Sequence, residues 1–216
     1  MVPFTLIAWA ELTVDAGVAS TLNSTGPVFT FLLTWGWTRH EPATARKLFG
    51  VIAGLGGVLL IVGVEALDGI GRELIAQLAI VAATLCYAGA AIFGRNFAGL
   101  HPMAPAAGSM LAGAAVLVPM SLMFEHPWLI APSARSLLAL LGLAVVSTAL
   151  AFVIYFRLIQ TIGSIATTAQ AYLRVPIGVA LGIMFLGEAP TATMWLGLLC
   201  VIAGVAAMTM STRTYR

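Results

Sequence analysis

What this 216-residue sequence most lacks is charge. Lysine, arginine, aspartate and glutamate make up 8% of it, against about 25% in a soluble domain. With 61% hydrophobic residues as well, water cannot be the main solvent for this chain. The formal net charge is only +2, which leaves no electrostatic footprint for nucleic acid. There are two cysteines, Cys86 and Cys200, both inside apolar runs and without metal-like spacing, so they read as small core residues. His101 and His126 stand in linkers, again without a partner at metal spacing, and no cofactor or metal is expected. The first ten residues carry no lysine or arginine, so Met1–Ala10 is not a signal peptide. It is also too short to cross a bilayer, which takes about 20 residues.

Seven longer apolar stretches follow: Gly17–Trp37, Leu48–Val64, Leu74–Gly94, Met103–Phe124, Leu137–Leu158, Ser164–Leu186 and Met194–Met210. Each is long enough to cross as a helix, the second and last only just. Helix is the sensible form, because lipid offers no partner to an unpaired backbone group. No carboxylate lies deep in any stretch, which removes a proton relay. An intramembrane enzyme would need a nucleophile–base pair, a metal cluster or paired carboxylates, and none stands within the spans.

The chain repeats itself. A shift of 147 positions lays Ala19-Ser20-Thr21-x-Asn23 on Ala166-Thr167-Thr168-x-Gln170. The same shift carries Glu41 onto Glu188, Thr44 onto Thr191, Gly50 onto Gly197 and Gly57-Val58 onto Gly204-Val205. Duplicated apolar segments are the mark of many secondary transporters, whose substrate site lies where the repeats meet.

Basic residues set an orientation. Arg39, Arg46, Lys47, Arg95, His101, Arg157, Arg213 and Arg216 all fall on one side of the expected spans. The other side holds Arg72 and Arg135 among most of the acids. The positive-inside bias makes the Arg39–Lys47 linker and the C-terminus cytoplasmic, in a multi-pass protein of the cytoplasmic (inner) membrane. Gly17–Trp37 then runs opposite to its copy Ser164–Leu186, so the repeats are inverted. Counterparts of the three spans before Gly163 would begin about 75 residues before Met1 by the same repeat logic. The expected fold is therefore an all-α polytopic inverted-repeat bundle, N-terminally truncated, with seven full transmembrane helices plus a partial one. Its expected parts are residues 1–64 from the first repeat, a 65–73 external linker, a second five-helix repeat over 74–210 and a 211–216 cytoplasmic tail.

Polar residues inside the spans form one stripe in each copy: Ser20, Asn23, Thr30 and Thr34 in the first, Thr167, Gln170 and Arg174 in the second. Such a stripe faces a wet cavity or binds a neighbouring helix. The amides Asn23 and Gln170, at equivalent places in the two copies, point to a cavity. Arg174 sits about ten residues into its span, where a charge costs a few kcal/mol and usually marks a pathway. Its fork can hold a carboxylate through two parallel bonds. It can equally cap the break made by Pro176, which frees a carbonyl near Tyr172. Tyr87 and Tyr172, with Trp9 and Tyr155, are candidates for lining a cavity or for anchoring at the interface. Glu41 and Glu188 each precede a threonine able to start the next helix, and read as helix-start anchors. The glycines of the Gly50–Gly57 and Gly197–Gly204 stretches read as surfaces of close helix approach.

The run Ala166–Val205, with Pro176, Leu186-Gly187-Glu188, Thr191, Gly197 and Gly204-Val205, resembles the second EamA domain of the drug/metabolite transporter superfamily. Ala16–Gly63, with Pro27, Glu41, Gly50 and Gly57-Val58, resembles the end of the first such domain. Cys86-Tyr87-Ala88 through Arg95 is similar to the family's sixth helix. The resemblance implies ten helices in two inverted halves, of which this chain holds half of the third through the tenth. It also implies a secondary transporter, working as an exporter, that moves a small polar metabolite such as an amino acid by alternating access. The substrate-binding set would be Asn23, Gln170, Arg174, Thr167, Tyr172 and Tyr87. Expected partners are that small-molecule substrate and the lipid bilayer, with a homodimer left open. A non-transporting fragment of such a carrier is the alternative, and an intramembrane enzyme a more distant one.

Overall fold

A computed structural model of the chain describes residues 2–14, 16–38, 42–63, 73–124, 132–181, 184 and 191–210. Among these residues every regular element is helical and there is no strand. That is what a chain dissolved in hydrocarbon requires, since a helix satisfies its backbone within one segment. Among the described residues five helices are long and apolar enough to cross a membrane: Ala45–Val62, Leu74–Phe97, Met103–Phe124, Ala134–Ile162 and Ala192–Thr209.

Two of the expected spans, Leu74–Gly94 and Met103–Phe124, coincide with α5 and α6. Helix α4 (Ala45–Val62) starts a little before its expected apolar run because Thr44 caps it, its hydroxyl accepting from the Lys47 amide at 3.3 Å. Thr191 does the same for α11 (Ala192–Thr209), accepting from the Met194 amide. Both caps follow the sequence reading, while Glu41 and Glu188 lie outside the described residues. Leu137–Leu158 falls within a longer run: α7 (Ala134–Gly142), a π-helical stretch Leu143–Leu150, and α8 (Ala151–Ile162). There the Thr148 hydroxyl bonds the Leu143 carbonyl five residues back, as the wider turn allows.

The two remaining expected spans, the copies of one another, are both interrupted. The first divides into α2 (Ala16–Asn23) and α3 (Gly26–Leu33), followed by a π-helical turn, Thr34–Thr38. The break falls at Ser24 and Thr25, whose hydroxyls bond the carbonyls of Ser20 and Leu22. Pro27 then sits in the first turn of α3, where its missing N–H costs nothing. The second divides at Ala169 into α9 (Ser164–Thr168) and α10 (Gln170–Leu181), with Pro176 inside α10. The 147-position shift carries Ser24–Thr25 onto Ala171–Tyr172, close beside the Ala169 turn. Equivalent stretches therefore break at nearly equivalent places. Most of the expected span beyond α10 lies outside the described residues.

The chain divides into two compact units, Met1–Arg95 with Ile162–Arg216, and Asn96–Thr161. In the first, α1 (Val2–Ala10), α2 and α3 pack on α5, and α3 and α5 also meet α9. The most extensive contact joins α4 to α11. A Cβ built on Gly50 would lie 2.6 Å from the Gly204 carbonyl oxygen, and one on Gly57 would lie 2.6 Å from that of Gly197. Because the higher number on one helix meets the lower on the other, α4 and α11 run antiparallel. Lipid tails are as apolar as leucine, so this closeness is what holds the pair. Phe31, Val51, Val58, Ile61, Ile165, Tyr172, Val201 and Met208 form the core around it. Arg46 secures one end: its Nε donates to the Ala207 carbonyl at 3.0 Å and its Nη2 to the Met210 carbonyl. These are among the final carbonyls of α11, which have no partner within that helix.

In the second unit, α6 (Met103–Phe124) and α8 are joined through the turn that precedes α6. The Gln160 amide donates to the carbonyls of Phe97 and Leu100, both at 3.2 Å, and Phe97 meets Phe156 edge to face. The outer surface of α6 is rich in exposed leucine, valine and methionine, and that of α7 and the π-helical stretch in exposed leucine and valine, as lipid contact requires.

Candidate functional site

The six site residues expected from sequence all belong to the first unit, but they do not share one environment. Tyr172 is completely buried, and its hydroxyl donates to the Val51 carbonyl at 3.0 Å. Its ring lies so close to Gly54 that a Cβ there would come within 2.4 Å of it. Tyr172 therefore plugs α10 into α4. Thr167 is also buried, and its hydroxyl bonds the Gly163 carbonyl at 2.6 Å. Thr30 of the first stripe behaves likewise, as do the neighbouring Ser24 and Thr168, each bonding a carbonyl three or four residues back. A threonine or serine on a helix reaches its own preceding turn most easily. Thr34 differs, since its buried hydroxyl oxygen has no partner among the described residues.

Arg174 and Gln170 stand in the opposite environment, and both are exposed. Two residues along a helix turn the side chain by about 200°, so Arg174 leaves α10 on the side away from Tyr172. Gln170, one turn earlier, shares its face. The burial of Tyr172 against α4 thus aims Arg174 and Gln170 off the α4–α11 core. On that side the guanidinium lies within electrostatic range of Tyr87 on α5. Tyr87 is half-buried, with its ring edge to face on Phe4 of α1 at a centroid distance of 5.8 Å. Asn23 ends α2, half-buried, just before the Ser24–Thr25 break.

No carboxylate is paired with Arg174 among the described residues. The described acids, Glu11 and Glu73, both stand outside the helices. No group of three or more histidine, cysteine or acidic residues able to hold a metal occurs among the described residues. Sequence reasoning passed over Arg46 as the clamp on α11, taking it for one charge of a basic linker. It also could not name Val51, whose contribution is a backbone carbonyl and leaves no side-chain signal.

Comparison with known proteins agrees with this architecture. A solved crystal structure superposes with a TM-score of 0.78 over 96% of this chain and 71% of its own, at 19% identity, a likeness of fold. The uncharacterized transporter YoaV of Bacillus subtilis (strain 168) is 28% identical over 198 residues, 89% of this chain and 66% of that protein. A protein of Streptantibioticus cattleyicolor named "Probable terminal-alkyne amino-acid exporter" is 28% identical over 211 residues, 97% of this chain and 68% of that protein. The chain thus spans about two thirds of the length of these relatives. The model of the EamA-like transporter family matches residues 1–63 and 74–210. With nearly the whole length matched, the chain belongs to the EamA-like transporter family, a family of membrane transporters rather than enzymes.

Proposed function

We propose that these residues form the core of a secondary carrier of a small polar metabolite such as an amino acid, working by alternating access between two inverted repeats and moving its substrate outward. The observation that carries the proposal is the exposed Arg174 in the middle of a broken span. An arginine facing lipid at that depth costs about 3 kcal/mol on the insertion scale and more by simulation. That cost favours a face bordering water or a solute over one facing lipid, which supports a pathway beside Arg174. Broken helices at equivalent places in two copies are the usual setting of a midplane transporter site.

Gln170, Arg174, Tyr87 and Asn23 are the side chains proposed to meet the substrate, with Thr167 and Tyr172 holding α9 and α10 in place behind them. The antiparallel course of α4 and α11, which carry matching repeat sequences, supports inversion of residues 1–64 against 74–210. The positive-inside bias supports a cytoplasmic C-terminal tail at 211–216 and an external 65–73 linker. Counterflow of labelled amino acids into liposomes holding the protein, with Arg174→Ala and Arg174→Lys beside it, tests the reading. We expect Ala to abolish uptake and Lys to retain a fraction. Unchanged counterflow in both variants would take Arg174 out of the pathway.

A further inference from the structure

We infer that residues 170–175 form a hinged segment, able to swing at both ends and latched onto α4 by the Tyr172 side chain. The inference deepens the transporter reading, because the same segment carries Gln170 and Arg174 on its other side.

Each end of the segment is weak in its backbone. At the first, the Ala169 amide bonds the Ala166 carbonyl at 3.3 Å and the Tyr172 amide bonds the Ala169 carbonyl at 3.0 Å. Both bonds span three residues, so the four-residue ladder is interrupted there. At the other end, Pro176 has no N–H to give the Tyr172 carbonyl one turn back, and its ring crowds that carbonyl. Such places are where helices bend. What precedes the segment is held: every residue of α9 is buried, and α9 meets α3, α5 and α11. The segment itself exposes Gln170, Leu173 and Arg174.

Tyr172 fastens it. The ring fills the hollow over Gly54, and the hydroxyl donates to the Val51 carbonyl at 3.0 Å. Val51 lies inside α4, where its carbonyl already serves the amide four residues on. The tyrosine uses the second lone pair of that oxygen, so it can leave without orphaning any group of α4. A bond of that kind is a latch. The 147-position shift lays Tyr172 on Thr25, whose hydroxyl turns back to the Leu22 carbonyl of its own helix. The latch therefore belongs to the second copy and is not a relic of the duplication. Because Arg174 and Gln170 ride on the same short segment, displacing them pulls on Tyr172, and releasing Tyr172 moves them.

Two measurements test the latch. Hydrogen exchange in detergent, over times short of global unfolding, should show residues 170–175 exchanging as one block, faster than α9 and α4. Tyr172→Phe should speed that block about five-fold, the factor that one net hydrogen bond is worth, and leave α9 unchanged. Pro176→Ala, which gives the Tyr172 carbonyl its donor back, should slow the block. Equal rates in the block and α9, a uniform rise in Tyr172→Phe, or no slowing in Pro176→Ala overturns the inference. The second measurement joins Gly54→Cys to Tyr172→Cys in a Cys86→Ser, Cys200→Ser background. The Tyr172 Cγ lies 3.1 Å from the place of a Gly54 Cβ, so the Tyr172 Cβ, one bond further on, is within disulfide reach. Oxidation should stop counterflow, and reduction should restore it and show that the fold survives. Full counterflow by the crosslinked protein overturns the inference. The expected exchange pattern in a protein without counterflow would instead sink the transporter reading and leave the latch standing.

Discussion

Gly57 and Gly197 meet backbone to backbone: a Cβ on either would lie 2.6 Å from the carbonyl oxygen of the other. The same relation nearly recurs between Gly50 and Gly204, with distances of 2.6 and 2.7 Å. The 147-position shift turns Gly50 into Gly197 and Gly57 into Gly204, so it exchanges one contact for the other. A pair of antiparallel helices related by a twofold axis between them would behave in this way. The contact leaves no space for a methyl group on either side.

Gly57→Ala and Gly197→Ala should therefore each force α4 and α11 apart. We expect a loss of about 1–3 kcal/mol, the usual cost of overpacking a tight core. Gly56 has nothing within 4 Å of its would-be Cβ and provides the control. Thermal unfolding in detergent should separate Gly57→Ala from Gly56→Ala clearly.

Tyr172→Phe removes the hydroxyl that donates to Val51. Stability should fall by about 1 kcal/mol, the net worth of one hydrogen bond. Substrate affinity should hold steady, because the side chain is buried on the α4 side of α10. A drop in affinity with stability intact would move Tyr172 into the binding site.

Tyr87→Phe should do the reverse. The ring keeps its edge-to-face contact with Phe4, so the melting temperature should stay put. Affinity for the transported solute should fall a few-fold if Tyr87 meets it, as expected for loss of one donor. Titration calorimetry or saturable stabilisation by an amino acid can measure it.

Arg46→Ala removes its two bonds to the carbonyls of Ala207 and Met210 at the end of α11. We expect about 1–2 kcal/mol of destabilisation from the carbonyls left without partners. Arg46→Lys should recover only part, since a point charge cannot hold two carbonyls with a fixed fork. Full recovery by lysine would reduce the clamp to simple charge.

Thr44→Ala and Thr191→Ala test the two repeat-related helix caps. Each should cost about 1 kcal/mol, the typical worth of a threonine N-cap. A similar loss at both sites is expected, because both hydroxyls accept at 3.3 Å from the third amide on.

Much of the architecture was fixed by local rules and could be read from the chain alone. Scarcity of charge named the solvent, and the solvent demanded helices. Apolar length placed α5 and α6, the Glu-x-x-Thr pattern placed the starts of α4 and α11, and glycines seven apart marked where those helices touch. These are properties of one segment at a time, so sequence carries them.

Tertiary structure decided which way each polar side chain turns. Arg174 and Tyr172 lie two residues apart, and no pattern says which faces the core. Packing settles it: Gly54 leaves a hollow on α4 that accepts the Tyr172 ring, and the geometry of the helix then sends Arg174 outward. The hydroxyl stripe was legible, yet Thr30 and Thr167 turned back onto their own backbone, a choice set by competition among nearby carbonyls. Val51 and Arg46 matter through backbone carbonyls, one as acceptor for Tyr172 and the other as donor to α11. A carbonyl belongs to every residue, so only folding reveals which of them are used.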